Sequence, residues 1–562
     1  MHLSRLQKKE FSWLILPILI AVFLLGRVYF HAGFPYTHDG ENHLARFANY
    51  AIAVREGQIP PRFAPNLLNH YGYPAFDFNY PLANILSLPF SFLRINPEVT
   101  FKILACLGVA LGAYGSYLWL GELTHNRQTK ILGIFVFAAN LYLVNTIFFR
   151  GSIGEILAIC LLPWAFWSVD VVLSSFNKVH KFILPIIIFS ALALSHNITF
   201  VLSVPLLFTY ALARTEWHER EKILKKWGSL ALVGLAAAGL TLWFWLPALL
   251  EKSATVVDQV GVNSEFLTQF PSLAQLLWSP QRFGFSYLGS IDSLSFGLGF
   301  LQVVALIMGG WILLSKKSTR VFLWLWLMLV IVCLTQLEIT KPLWLLVFPI
   351  AKYIQFPWRL GLFWGVLSIP LVALTWEKLP RLGKSIILLL LIWQLIALTR
   401  LKAVDYFHHD LTDYIFFSQS TSTLNENRAQ TFTYLNLGDW QPAPHLLTGS
   451  GQITVQAWRG SNRSYTLQLQ TQSLIVEPTM NFLGWQTTAN GQRVKYLNSD
   501  EIGGRIAYSL PAGSYQVHSQ FTQWTWPRMI GNGASTTISV VILILFGRLG
   551  YLGFKRRQHD QN

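Results

Sequence analysis

The sequence predicts a polytopic α-helical membrane protein of about 12 spans, with an extracytoplasmic, mainly-β, sandwich-like domain before the last span. Three observations predict it. Of 562 residues, 53% are hydrophobic and only 12% are charged, against about a quarter charged in a soluble domain. Apolar runs of about twenty residues recur, the length that crosses hydrocarbon as a helix. Between 402 and 535 the pattern changes to short alternating segments broken by turn residues.

The spans can be taken in order. Arg5, Lys8 and Lys9 precede the run 11–30, which is too long for a signal-peptide core and lacks a small-residue cleavage site, so it reads as a retained first span. Further runs are 101–121, 130–149, 153–176, 182–213, 227–249, 296–314, 321–337, 358–375, 386–401 and 536–552. The run 182–213 is long enough for two spans, broken near His196-Asn197. The weaker run 82–93 is too short to cross and reads as a helix lying at the membrane surface.

The net charge of +16 would suit a nucleic-acid partner, but the basic residues cluster between apolar runs, as orientation signals do, and nucleic acid is excluded. With the N-terminus inside, Arg127, Lys178 and Lys181, the group from Arg214 to Lys226, Lys316, Lys317 and Arg320, Lys378 to Lys384, and Lys555 to Arg557 all fall on the cytoplasmic side. Roughly half of all Lys and Arg thus occupy about a tenth of the chain. Both termini are expected in the cytoplasm of a plasma-membrane protein, with segments 31–100, 250–295 and 402–535 outside. The organisation expected is a transmembrane domain over 1–401, a β-rich domain over 402–535, and a final helix with a basic tail over 536–562. In the second, 453–458, 465–470 and 515–521 alternate apolar and polar residues as half-buried strands do. Cys106, Cys160 and Cys333 all lie in apolar runs, so no disulfide framework is expected.

Chemistry-bearing residues gather in a few places. Thr37-His-Asp-Gly-Glu-Asn-His43, followed by Arg46, sets His38, Asp39, Glu41 and His43 close together. Such a group can act as a general base, bind a divalent ion such as Mg2+ or Mn2+, or form a solvated loop. Arg150-Gly-Ser-Ile-Gly-Glu155 places Glu155 at the membrane edge, either as an ion pair stapling a hairpin or as a wall of the same site. His196-Asn197 is a polar break between spans, a common turn element as well as a candidate ligand pair. Gln355-Phe-Pro-Trp-Arg359 enters a span with Arg359 at a helix N-terminus, suited to a phosphate or to interface anchoring. The stretch Tyr71 to Pro81, with Asp77, is rich in aromatics. Trp440, Trp458 and Trp485 can stack on sugars or pack in the β-domain core.

Taken together, an acidic motif in the first outer loop, a long loop after the seventh span and the many spans resemble the GT-C glycosyltransferase superfamily. More closely, His38-Asp39-Gly40, Tyr73-Pro74, Arg150-Gly151 with Glu155, His196-Asn197, Gln355 to Arg359 and Phe482-Leu-Gly-Trp485 resemble bacterial membrane proteins labelled 6-pyruvoyl-tetrahydropterin synthase-related. The resemblance implies transfer of a sugar from a polyprenyl-phosphate donor to a glycan, lipid or protein acceptor, with inversion. By the resemblance Asp39 would be the catalytic base and Arg359 would hold the carrier phosphate; Glu41 and Glu155 are further candidates for catalysis, and His38, His43, Arg46, Arg150, His196, Asn197 and Gln355 for substrate binding. Any metal would sit at Asp39, His38 and His43. No pterin activity is implied, since many spans and an outward site poorly suit a cytosolic pterin enzyme. The competing reading is a transporter, flippase or envelope-assembly scaffold, for which Asp170 and Gln394, without an obvious partner, are the polar residues inside spans.

Overall fold

The computed structural model describes residues 5–260, 266–286, 293–315, 318–433 and 440–559; of the expected orientation signals, Lys316 and Lys317 lie outside them. Among the described residues nine helices are long and apolar enough to cross a membrane, and a tenth is the bent pair Arg320–Thr335 and Glu338–Leu346. Val179–Ser195 and Phe300–Leu314, which correspond to two more of the expected runs, are short for a crossing. Length and composition therefore support nine or ten spans, and the expected count of twelve is not confirmed. The run 82–93 forms the 11-residue helix Leu82–Phe92.

Three departures from the expected spans have local causes. The run 130–149 is not one helix: Arg127–Ala138 stops, Leu141–Asn145 follows, and a wide turn Thr146–Arg150 finishes it. Asn140 caps the second piece, accepting from the Tyr142 and Leu143 amides at 3.1 and 3.2 Å. The Ala139 carbonyl freed by the break accepts from Gln394 Nε2 at 2.6 Å and Gln302 Nε2 at 3.3 Å, so Gln394 has partners after all. Asp170 likewise is not alone, because Arg214 bonds it and the Tyr210 hydroxyl donates to it at 2.7 Å. The helix after Arg320 turns by 90° at residues 336–337, and Ile339, Leu343 and Leu346 stay exposed along the bent arm. The last helix begins at Trp526, well before the expected 536.

The alternating segments form strands as expected. Gly451–Trp458, Asn462–Leu469, Gly513–Phe521, Trp485–Ala489 and Gln492–Arg493 make a five-stranded sheet in that order. His445–Thr448, Ser473–Met480 and Arg505–Leu510 make a second sheet of three. All pairings are antiparallel. Tyr465, Leu467 and Val517 of the larger sheet pack against Ile475 and Tyr508 of the smaller. Between the sheets the buried Glu477 accepts from Arg463 at 3.0 Å and from the Tyr465 hydroxyl at 2.8 Å. The Arg463 guanidinium lies 4.3 Å from the Trp458 ring and 4.7 Å from that of Trp485. Trp440 Nε1 donates to the Pro478 carbonyl at 2.9 Å. These three rings are engaged by the protein itself.

Two devices tie this part to the helices. Phe34–Pro35 pairs antiparallel with Tyr406–Phe407. Deeper, Asp77 bonds Arg62 and Arg528, each at 3.2 Å, and Arg528 also bonds Glu251 at 2.6 Å, all four side chains being buried. This joins the segment after the first helix, the end of Arg220–Leu250, and the start of the last helix. Burial alone would push the Asp77 carboxyl up, but Arg528 and Arg62 together outweigh it and hold it below the usual carboxylate range. A depressed carboxyl stabilises the fold above its unfolded pKa and loses that contribution as pH falls through the folded value. Asp77 therefore contributes fully at neutral pH and its share is lost only in acid, whereas burial and the neighbouring Asp77 push the Glu251 carboxyl up to about 7.

Removing one partner from such a network leaves a buried charge uncompensated. Arg528→Met is expected to lower stability by about 3–5 kcal/mol, read as a fall in Tm of the detergent-purified protein and as reduced folded yield. A melting temperature unchanged at pH 7 would contradict the assigned role.

Candidate functional site

Two of the sequence motifs fold as one unit. The His38 amide donates to the Phe149 carbonyl at 3.0 Å, and the Asp39 amide to that of Arg150 at 2.8 Å. This approach depends on Gly151, whose φ is +65° and whose added Cβ would stand 2.1 Å from Thr37 Oγ1. Asp39 occupies the N-cap position of the helix Gly40–Arg55, yet its side chain makes no capping bond. The half-buried carboxylate has no hydrogen-bond partner among the described residues.

Beside it, Glu155 is fully buried at the start of the helix Ile153–Ser174 and is held by Arg150. The Tyr142 hydroxyl donates to Glu155 Oε1 at 2.7 Å and accepts from Arg150 Nη1 at 3.1 Å, closing a three-residue network. The Trp358 ring covers the Arg150 guanidinium at 5.3 Å. Arg359 is 7% exposed. Its Nη1 donates to Gln355 Oε1 at 2.6 Å and to the Ile354 carbonyl at 3.0 Å, while its Nε is buried without a partner among the described residues. Gln355 adopts φ +69°, a left-handed conformation that a glutamine takes only when its surroundings impose it. Asp39, Arg150, Glu155 and Arg359 are close enough for their charges to act on one another.

The imidazoles line the same region. His38 stacks on Phe285 at 4.7 Å and meets the edge of Phe283 at 4.6 Å, with Nε2 buried and unpartnered among the described residues. Burial, aided by Arg150 and partly opposed by Asp39, lowers its pKa. His43 is buried, and desolvation, with Arg46 and His196 nearby, holds it well below the ordinary histidine value. His196 caps the helix Asn197–Arg214, its Nδ1 accepting from the Thr199 amide at 3.3 Å. Its ring meets Tyr80 at 5.0 Å. Gly154 leaves room for that Tyr80 ring, since a Cβ there would lie 2.0 Å from it. Asn197 Nδ2 donates to the Phe78 carbonyl at 3.1 Å.

Not every expected residue points into this cluster. Arg46 bonds Thr421 through Nε at 2.9 Å and also through its terminal nitrogen, so it fastens the 402–433 segment to the helix Gly40–Arg55. Glu41 faces His409 at 3.7 Å. Tyr142, Tyr80, Trp358 and Phe285 belong to the site but were not among the expected residues. Tyr80 and Trp358 carried a signal, as parts of the aromatic run 71–81 and of the motif Gln355-Phe-Pro-Trp-Arg359.

Whether the donor set fits a divalent cation can be tested on these residues. His70 packs against Trp440 and Phe416, away from His38 and His43. Glu155 is engaged by Arg150 and Tyr142, leaving one free carboxylate beside two guanidinium groups. Mg2+ and Mn2+ need several oxygen ligands. Among the described residues the side chains that meet as a possible metal group are Glu216, His218 and Glu219, in the segment before the helix Arg220–Leu250. The residues at Asp39 do not fit a divalent cation held by protein ligands alone.

A cleft of about 200 Å³ lined by Leu277, Trp278, Phe300, Trp393 and Leu398 reaches Leu141, next to Tyr142. Phe300, Trp393 and Trp278 stay exposed along it.

A bundle of apolar helices with an acid–arginine cluster at one end defines a polytopic membrane protein with a polar site at the ends of its spans. The chain belongs to the family described as 6-pyruvoyl-tetrahydropterin synthase related domain, membrane protein, whose model matches residues 77–406. That match includes Arg150, Glu155, His196 and Arg359 and leaves out Asp39. An uncharacterized protein of Lactococcus lactis subsp. cremoris (strain MG1363) is 26% identical over 304 residues, 51% of this chain and 47% of the relative. The chain thus spans about half the length of the relative it matches. Among solved structures it is similar to the arabinofuranosyltransferase AftD from Mycobacteria, at 15% identity, with 71% of this chain and 27% of that one covered and a TM-score of 0.45. It is also similar to the oligosaccharyltransferase AglB from Archaeoglobus fulgidus, at 13% identity, with 72% and 57% covered and a TM-score of 0.36.

Two outcomes follow from the packing. Below about pH 6.5 the unfolded chain protonates His43 while the folded chain resists it, so stability drops by about 1.4 kcal/mol per pH unit. Melts at pH 7, 6 and 5 should show a steeper decline for the wild type than for His43→Asn; equal slopes would refute it. Gly154→Ala should displace Tyr80 and cost about 1–3 kcal/mol, read in the same melts.

Proposed function

We propose that the protein transfers a sugar from a polyprenyl-phosphate carrier to a hydroxyl acceptor on an envelope glycan, lipid or protein, at the outer face of the plasma membrane. The observation that carries this reading is that Asp39 and the buried Arg359 fall in one charge cluster, the Asp39 carboxylate and Arg359 Nε both lacking a hydrogen-bond partner among the described residues. Asp39 supplies a base, and Arg359 supplies a cation for a phosphate oxyanion. The apolar cleft beside Leu141 supports the same reading, since it offers an isoprenoid chain a place next to the polar cluster. The outward orientation rests on the bias of Lys and Arg toward the opposite ends of the helices.

In this reaction Asp39 accepts the proton of the acceptor hydroxyl as its oxygen attacks the anomeric carbon. The bond from that carbon to the carrier phosphate breaks, and the anomeric configuration inverts. Arg359 stabilises the charge that develops on the leaving phosphate oxygen. Arg150, neutralised by Glu155 and covered by Trp358, shapes the wall and fixes the backbone that presents Asp39. His196 and Tyr80 form the opposite side. No step needs a metal. The transporter reading loses much of its motivation, because Asp170 is paired with Arg214 and the Gln394 amide donates to the Ala139 carbonyl.

With purified protein, a polyprenyl-phosphate sugar donor and membrane-derived acceptors, Asp39→Asn is expected to lower kcat by about 10²–10⁴-fold. Arg359→Gln should also lower kcat, with melting temperatures near wild type for Asp39→Asn. Mass spectrometry of the co-purified lipid should find a polyprenyl phosphate. Full transfer by Asp39→Asn would overturn the assignment, and substrate accumulation in proteoliposomes without product would favour transport.

A further inference from the structure

The outward face of the five-stranded sheet carries an unusual set of side chains. Its register aligns them in rows across the strands. Gln452, Gln468 and Ser514 form one row, and Thr454, Thr466 and Gln516 the next. Ser464, His518 and Thr488 follow, then Asn462, Gln520 and Gln486. All twelve are exposed or half-buried, and they alternate with the inward Tyr465, Leu467 and Val517. Not one is a Lys, Arg, Asp or Glu. A solvated face of twelve positions would ordinarily hold about three or four charges, and exposed strands use such charges to avoid sticking. The first charge met is Arg493, on the edge strand opposite Thr488.

The amides are also free. The side chains of Gln452, Gln468, Gln486, Gln516 and Gln520 make no hydrogen bond to the protein among the described residues. Each can donate and accept at once, as a sugar hydroxyl can. A protein partner or second copy would call for an apolar, aromatic centre, which these rows lack. A charged polymer would call for opposite charge, also lacking. We propose that this sheet face binds a neutral glycan, whose hydroxyls exchange hydrogen bonds with the rows of amides and hydroxyls. Trp458 and Trp485 take no part, because their rings are engaged by Arg463.

The test uses the full chain in detergent micelles and needs no sugar donor, so its result is independent of the proposed transfer. Retention on a neutral glucan, mannan, galactan and arabinan is measured by affinity electrophoresis, with hyaluronate and polyglutamate as charged probes. At least one neutral polysaccharide should be bound. Gln468→Ala, Gln516→Ala and Gln520→Ala combined should weaken that binding tenfold or more without shifting the melting temperature, and Thr466→Lys at the centre should abolish it. Absence of binding by the wild type, equal binding by the triple variant, or preference for the charged polymers would each overturn the proposal. So would a dimer, measured by light scattering, that Thr466→Lys splits, since that would assign the face to a second copy.

Discussion

The cost of burying a carboxylate governs this structure. An ionised acid removed from water survives only with a partner of opposite charge or several donors. Asp77 meets Arg62 and Arg528, Glu251 meets Arg528, Glu155 meets Arg150, Asp170 meets Arg214, and Glu477 meets Arg463. Glu98 is satisfied by the Tyr414 hydroxyl, His408 and the His409 amide. Apart from Arg150–Glu155, which are five residues apart, the pairings bridge separate segments, so the positions of the acids help fix how helices and loops are joined. Against this pattern Asp39 stands apart. It is half-buried and makes no side-chain hydrogen bond among the described residues.

The joints also explain why the β-sandwich is not merely appended. Thr421 is held by Arg46, 408–414 by Glu98, and Tyr406–Phe407 by Phe34–Pro35. Phe34–Pro35 and Arg46 lie within a few residues of Asp39, and Glu98 lies at the start of the helix Pro97–Leu123. The strand at Phe34 ends only a few residues before the backbone bonds from His38 and Asp39 to the 149–150 turn. Movement of the 402–433 segment would therefore be felt by the loop that presents the carboxylate.

Much of this was legible in the chain. Runs of apolar residues located the helices because bilayer thickness is a length constraint that a sequence displays directly. Alternation located Gly451–Trp458, Asn462–Leu469 and Gly513–Phe521, since successive side chains of a strand point to opposite faces. The motifs at 37–43, 150–155, 196–197 and 355–359 were visible as polar interruptions, and they converge. What was not legible depends on pairs distant in sequence. The break at Ala139 is tolerated because Gln302 and Gln394 satisfy its carbonyl, and nothing local announces that. Asp170 looked isolated because Arg214 lies a full helix pair away. Asp77 read as a residue in an aromatic stretch, and its role as the centre of a four-charge network appears only when Arg528 arrives from the last helix. Tyr142 gave no signal, since a tyrosine near a span end has many ordinary uses.

The same bookkeeping of charge separates the two arginines that motif reading had grouped together. Arg150 is committed: Glu155 neutralises it, Tyr142 fixes its orientation, and Trp358 covers its face. An incoming phosphate would compete there with a carboxylate already in place. Among the described residues Arg359 has only neutral acceptors, a carbonyl and a glutamine amide, and retains a buried Nε–H without any. An unbonded buried donor on a charged group is costly in the free protein, and an anion arriving there removes that cost as it binds. The strained backbone of Gln355 belongs to the same economy, since its amide oxygen holds the guanidinium in place. In the proposed reaction the phosphate accordingly goes to Arg359, and Arg150 serves to place Asp39 against it.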